Sequence, residues 1–400
     1  MKNLEKLRLD FPILQQKVHD HPLIYFDSAA TAQMPNVVID EISTYYATYK
    51  SNVDRGLYSF AEKTTLHYEQ ARTTIAEFIG AQPAELVFTS GATDGINMVA
   101  RIWATHTLQA GDEIIISQAE HHSNFLPWQQ LVQEKNCILT ILPIDEFGLL
   151  DMKTYYAALS EKTKLVAIFH TSNILGTTND IGSIVAAAHQ VGAKVLVDAA
   201  QSVAHKKIDV VDLECDFLVF SGHKLYGPTG IGCLFIKKSM HEQCYPYKFG
   251  GSMVYSAGYD ESFWKNAPYC FEAGTPPIAQ AIGLGAAVKY LQENVDFTIT
   301  AQHENALVAR AAAGLQELGF HLLHPIDIDH HHMVTFYDTS VHGHDIAMYL
   351  DSYGIAVRAG NHCVQPYHEK LGLDSTVRVS FAFYNTMAEV EKFLEVMASL

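Results

Sequence analysis

The sequence predicts an α/β fold, with a mainly parallel seven-stranded sheet in a large domain and a smaller α/β domain behind it. Three observations carry that prediction. From about residue 70 to 236, short apolar runs of strand length alternate with helix-compatible segments, the pattern that winds a parallel sheet between helices. Residues 250–277 break the alternation, being rich in Gly, Tyr, Ser and Pro with little periodicity. Helical periodicity then returns and further short strands follow, and 400 residues exceed what one typical core needs.

Taken in order, the strand candidates of the large domain are residues 85–89, 112–117, 138–142, 165–170, 194–198, 217–221 and 232–236. Seven strands make a sheet broad enough to be flanked by helices on both faces. Residues 250–277 read as a long functional loop. Beyond it, residues 278–292 and 303–318 read as helices, and 333–337, 356–358 and 376–381 as strands of the smaller domain. The expected division is a large domain over 21–265, a connecting segment over 266–284, and a small domain formed by 1–20 together with 285–400. His330, His331 and His332, beside Asp327 and Asp329, read as a solvated turn.

Charge and composition narrow the function. With 27 basic against 44 acidic residues the formal charge is −17, which argues against nucleic acid or an anionic membrane as the main partner. The amino-terminal stretch lacks the apolar run of a signal peptide, and no later run approaches the ~18 apolar residues of a membrane span. A cytoplasmic protein is expected. Six scattered cysteines with no CxxC pair are expected to be reduced. His121 and His122 are adjacent and point in different directions, so no metal site is expected there.

Four segments bear chemistry. The strand KVLVD places Asp198 at the carboxyl end of a parallel strand, where ligands of open α/β sheets bind. Asp198 could hold a protonated ring nitrogen or could simply cap a helix. The strand DFLVFS runs into SGHKLYGPTGIG, so Lys224 emerges at the same end of the sheet. Alone it would be an ordinary loop lysine; paired with Asp198 it reads as a site residue. In ELVFTSGATDGIN a strand turns through Ser90, Gly91, Ala92 and Thr93 into a helix, whose free N–H groups and dipole suit an anion, with the Thr93 hydroxyl a further donor. SQAEHHSN brings His121 to the same rim, as a ring able to stack on a flat cofactor or as a polar loop histidine. HTSNILGT brings Asn173.

These motifs, with YFDSAA, VLVDAAQ, FEAGTPP and RAGNHC in the same order, resemble the pyridoxal phosphate (PLP)-dependent cysteine desulfurases of the aminotransferase class V, fold type I group. The branch most similar is that of the SUF system, whose SufS-like enzymes supply sulfur for iron–sulfur cluster assembly. The resemblance implies that Lys224 carries PLP as a Schiff base, Asp198 pairs with the pyridinium nitrogen and His121 stacks on the ring. It implies that Asn173 and Gln201 contact the phenolic oxygen, and that Thr93, Ser221 and His223 hold the phosphate. It also implies a homodimer in which Thr275 of FEAGTPP reaches the phosphate in the partner subunit.

Lys224 and Asp198 indicate a cofactor, and Cys363 indicates a reaction. RAGNHC sets Arg358 and His362 near Cys363, where positive charge would favour the thiolate, the nucleophilic form. The reaction implied converts L-cysteine to L-alanine, with sulfur taken by Cys363 as a persulfide and passed on to an acceptor. Arg378 in TVRVSF resembles the residue that clamps the substrate carboxylate; a surface strand cation is the alternative. VHGHD, with His342 and His344, resembles the branch that serves a zinc-containing SufU-type acceptor rather than a SufE-type one. Asp54, Ala92 and Asn361 depart from the common pattern. Selenocysteine lyase or cysteine sulfinate desulfinase on the same scaffold is the competing reading, and a scaffold protein without catalysis is a more distant one.

Overall fold

The computed structural model describes residues 4–54, 56–325 and 332–400. The alternating apolar runs form seven strands: β1 (Leu86–Thr89), β2 (Glu113–Ser117), β3 (Ile138–Leu142), β4 (Thr163–Phe169), β5 (Lys194–Asp198), β6 (Phe217–Ser221) and β7 (Gly232–Ile236). They share one sheet in the order β1-β7-β6-β5-β4-β2-β3. Pairs within β2 to β6 are parallel, while β7 runs antiparallel to both β6 and β1. The mainly parallel sheet is as expected.

Continuous apolar runs suit strands covered on both faces. Val166, Ile168, Val195, Val197, Leu218 and Phe220 join one buried cluster, and the intervening Leu165, Ala167, Leu196, Phe217 and Val219 join another on the opposite face. The helices α1 (Ser59–Phe78), α2 (Ala92–Val99), α3 (Ile181–Gln190) and α4 (Ile278–Asn294) lie among these layers. Against α1, α4 comes so close that a Cβ on Gly285 would sit 2.7 Å from the Ala71 Cβ. Leu7, Phe11 and Leu14 pack into the first cluster beside Tyr226 and Tyr290.

Residues 250–277 are more ordered than a loop. They contain a hairpin of β8 (Val254–Ala257) and β9 (Ser262–Trp264). Its side chains face outward, with Tyr255, Tyr259 and Phe263 exposed. The chain covers the hairpin only in part, through Trp264 on the Phe249 ring 5.3 Å away, so no apolar alternation marked these strands in the sequence.

The smaller sheet comprises β10 (His321–Leu322), β11 (Met333–Tyr337), β12 (Arg358–Gly360) and β13 (Thr376–Ser380), antiparallel in the order β10-β11-β13-β12. It packs with α5 (Phe297–Glu317), α6 (Gly343–Asp351) and α7 (Met387–Met397) around Leu307, Phe336, Leu350, Val379 and Phe393. Residues 356–358 do not form one strand. Ile355–Ala356 pairs in parallel with Ile24–Tyr25, while Arg358 begins β12, and Asp27, just past the first pairing, bridges Ser380 of β13. His332 is fully buried, contrary to the solvated turn expected of it; His330 and His331 lie outside the described residues. No helix among the described residues is long and apolar enough to cross a membrane.

Candidate active site

Parallel strands deliver their carboxyl ends to one rim, and the rim here is a cavity of about 250 Å³. β5 contributes Asp198, the turn after β6 contributes His223 and Lys224, and the β1–α2 turn contributes Thr93. His121 follows β2 and Asn173 follows β4. From the smaller sheet come Arg358, Cys363 and Arg378. Gln201 and Ser221 complete the residues expected here. Thr275 alone stands apart: it is exposed and outside the cavity.

Lys224 is neither hydrogen-bonded nor ion-paired among the described residues. Burial pushes its ammonium down to about 8, opposed by the Asp198 carboxylate and reinforced by Arg378. Asp198 accepts the Ala200 N–H at 2.9 Å, and burial pushes its carboxyl upward. Burial and Lys224 push His121 down to about 3, so its imidazole is neutral at pH 7. Its Nδ1 accepts the Ser123 N–H at 3.0 Å, which places the ring hydrogen on Nε2.

At the anion end the β1–α2 turn is partly committed already. Ala92 N–H donates to Ser221 Oγ at 2.8 Å, and Ser90 N–H to Asp94 Oδ2 at 2.9 Å. The turn therefore offers an anion Thr93 and the hydroxyls around it, rather than a row of free N–H groups. Thr93 Oγ1 is 2.6 Å from Ser123 Oγ, which is 3.0 Å from His121 Nδ1. Ser123, overlooked in the sequence although it lies within SQAEHHSN, thus joins ring and anion ends. β7 passes close beneath: a Cβ on Gly232 would sit 2.5 Å from the Gly91 Cα, so only glycine fits.

Cys363 is exposed to the cavity from a short loop with left-handed backbone at His362 (φ 50) and Cys363 (φ 60). Hydrogen bonds with the larger domain help to hold that loop: His122 N–H to the Cys363 carbonyl at 2.8 Å, Gln365 N–H to His122 Nε2 at 3.1 Å, and Asn173 Nδ2 to the His362 carbonyl at 2.7 Å. Asn173 is therefore a clamp on the cysteine loop as well as a cavity residue. Positive charge near Cys363 does not come from His362. That ring is buried, its Nε2 meets Thr376 Oγ1 at 3.0 Å, and burial and Arg378 push it strongly down, so it is neutral. Arg358 and Arg378 are the guanidinium groups that line the cavity with Cys363. Arg378 is 3% exposed, not a surface cation; it donates to the Asn173 carbonyl at 2.6 Å and to Asp27 Oδ1 at 3.2 Å. Arg358 Nε reaches the other oxygen of Asp27, also at 3.2 Å. Asp27 fixes both arginines and was missed in the sequence, because its partners lie more than three hundred residues away along the chain.

The departures have structural places. Asp54 pairs with Lys265 at 3.3 Å, and Asn361 Oδ1 accepts the Cys363 N–H at 3.3 Å. His342 caps α6 by accepting the His344 N–H at 3.3 Å. A Cβ on Gly360, at the end of β12, would lie 3.8 Å from His344 Nε2.

An α/β scaffold with a half-buried, unpaired lysine sharing its cavity with a carboxylate at the strand ends defines a lysine-centred, cofactor-dependent enzyme. The aminotransferase class-V family model matches residues 24–393, and the chain belongs to that family. It is 46% identical over 391 residues to a probable cysteine desulfurase of Halalkalibacterium halodurans, covering 97% of this chain and 96% of that one. It is 40% identical over 408 residues to a cysteine desulfurase of Haloferax volcanii, covering 98% and 96%. Its structure resembles the apo cysteine desulfurase of Thermococcus onnurineus with a TM-score of 0.95 at 38% identity, covering 100% of this chain and 98% of that one.

The cofactor of this enzyme is pyridoxal phosphate. The residues present fit it: an unpaired buried amine for the aldehyde, a deep carboxylate for the ring nitrogen, a neutral imidazole for the ring face, and a cluster of hydroxyls at a helix start for the phosphate.

Proposed function

We propose that this chain is a cysteine desulfurase that removes sulfur from L-cysteine, leaves L-alanine, and carries the sulfur as a persulfide on Cys363. The observation that carries this reading is the presence of Cys363 in one cavity with Lys224, Asp198 and the two arginines.

When bound, PLP withdraws electrons from the substrate α-carbon and so loosens its α-proton and, in turn, its carbon–sulfur bond. The chain's residues do the rest. Arg378, positioned by Asp27 and the Asn173 carbonyl, holds the substrate carboxylate, with Arg358 beside it. Lys224, its amine lowered by burial, takes the α-proton as a general base. Cys363, as thiolate beside two guanidinium groups, attacks the substrate sulfur. A sulfur–sulfur bond forms as the carbon–sulfur bond breaks, the electron pair staying with carbon, which then takes a proton. Thr93, Ser221 and His223 hold the phosphate, Asp198 the ring nitrogen, and Asn173 and Gln201 the phenolic oxygen.

Purified protein loaded with PLP and given L-cysteine should form alanine and, with reductant, sulfide. Lys224→Ala should lose the cofactor's visible band. Cys363→Ser should keep the band and release no sulfur; equal sulfide production by Cys363→Ser would refute the nucleophile role. Relative turnover on L-selenocysteine and cysteine sulfinate separates the desulfurase from its two closest alternatives.

The same reading extends outward to a cytoplasmic homodimer of the SUF system that delivers sulfur for iron–sulfur clusters. The exposed Leu57, Tyr58, Phe60 and Leu66 supply apolar surface for a partner subunit. A short, hydrogen-bonded cysteine loop cannot swing far, so its acceptor must dock close by. His344, near the end of β12, supports a zinc-bearing acceptor of SufU type. His344→Ala should abolish acceptor-stimulated turnover while leaving the basal rate intact; unchanged stimulation would count against this docking.

A further inference from the structure

Gln201 reaches the cavity with most of its hydrogen-bonding capacity committed elsewhere. Its Nε2 donates to the Ala29 carbonyl at 2.8 Å, and a carbonyl oxygen only accepts, so the orientation of the amide is settled. Oε1 then faces His332 Nε2 at 3.3 Å, and the hydrogen of that contact belongs to the imidazole.

His332 is 0% exposed and lies just before β11. Its ring is stacked on His205 with centroids 3.8 Å apart and planes 14° apart. His205 Nδ1 in turn meets Glu304 Oε2, on α5, at 2.9 Å in the interior. The stack and that contact fix the His332 ring behind Gln201, with the ring hydrogen of the Oε1 contact on Nε2.

We propose that His332 is a positioning residue for Gln201: by holding Oε1 while Ala29 takes one amide hydrogen, it leaves the second amide hydrogen of Nε2 directed to the cavity, as a donor to the phenolic oxygen of PLP. The proposal rests on the assignment of Gln201 to that oxygen made above. A donor there stabilises negative charge on the oxygen and weakens its hold on the proton shared with the Lys224 nitrogen, so that proton leaves at a lower pH. The titratable and charged groups around the relay are Asp198, His121, His223, Lys224, Arg358, His362, Cys363 and Arg378 on the cavity side, and His205 and Glu304 behind. None is altered in the test.

The visible absorption of bound PLP is followed against pH in the holoenzyme without substrate. His332→Phe keeps a flat ring against His205 and removes the donor; the midpoint should rise by roughly half a pH unit. Gln201→Leu should raise it at least as far, and adding His332→Phe to Gln201→Leu should change nothing more, because the first residue acts through the second. His332→Ala, which removes the donor without demanding space, is measured alongside with the same expectation, so a misfolded phenylalanine variant leaves the comparison intact. An unchanged midpoint in both His332 variants overturns the proposal, as does an equal further rise in the Gln201→Leu background. Absence of any visible band in the wild-type protein after PLP addition overturns the cofactor assignment of Gln201 instead, and is read separately.

Discussion

Burial is what separates Lys224 from the chain's other lysines. Its ammonium is pushed from an ordinary value near 10.5 to about 8, first by desolvation. The neutral amine is the form that attacks an aldehyde, so uptake of PLP by the apo-protein should quicken as pH rises through about 8 and then level, as stopped-flow absorbance would record. Asp198 opposes the shift; Asp198→Asn should therefore move that midpoint lower. Lys224 and Asp198 were legible in the sequence because each follows an apolar strand at once. Asp27 was not, since a carboxylate between Phe26 and Ser28 acquires its role only when Arg358 and Arg378 arrive from the far end of the chain. The cationic role expected of His362 failed for a related reason: sequence neighbours suggest charge, while burial decides protonation.

At the scale of elements, FEAGTPP does more than present Thr275. Its Glu272 takes a two-pronged ion pair from Arg72 of α1 at 2.7 and 2.8 Å and accepts the Phe88 N–H of β1 at 2.7 Å. Arg72 is 1% exposed and lies over the Phe88 ring, 4.6 Å from its centroid. Removing one partner of a buried pair leaves the other charge uncompensated, which costs roughly 3–5 kcal/mol. Glu272→Ala should lose stability of that order in urea unfolding, with Glu69, 3.0 Å from Arg72 Nε, recovering part of it. Six of the seven strands of the large sheet were legible because packing on both faces demands continuous apolar runs; the edge strand β3 has the same kind of run although Ile138 and Ile141 are exposed. The β8–β9 hairpin was not, because a mostly exposed ribbon that touches its own chain through little more than Trp264 carries no alternating pattern.

The molecule as a whole joins two sheets across one cavity. The larger sheet supplies Lys224 and Asp198, and the smaller supplies Cys363 and the arginines, with the Asn173–His362 and His122–Cys363 hydrogen bonds among the ties between them. A catalytic thiol held in reach of a distant lysine gains from this rigidity, since orientation lowers the entropic barrier to reaction. If Thr275 completes the partner's site, the protein should sediment at twice the 44.4 kDa chain mass. Mixing inactive Lys224→Ala chains with Thr275→Val chains should then restore activity, because one site of each mixed dimer holds both wild-type residues. Activity no higher than that of the Thr275→Val protein alone would show that each subunit works without its partner.

The sequence by itself determined the α/β class, the strands of the large sheet, and five residues that meet at its rim (Lys224, Asp198, Thr93, His121 and Asn173), because apolar periodicity and strand-end position are local properties that survive in any tertiary context. Tertiary structure alone decided which charges act on Cys363, that Asn173 clamps its loop, that Asp27 sets two arginines, and that His332 lies buried behind Gln201. Each of these depends on desolvation or on hydrogen bonds between segments far apart in the chain, and no local pattern encodes either. Lys224 stands on both sides of that line: its position was written in the strand that precedes it, and its reactivity in the surroundings that exclude water from it.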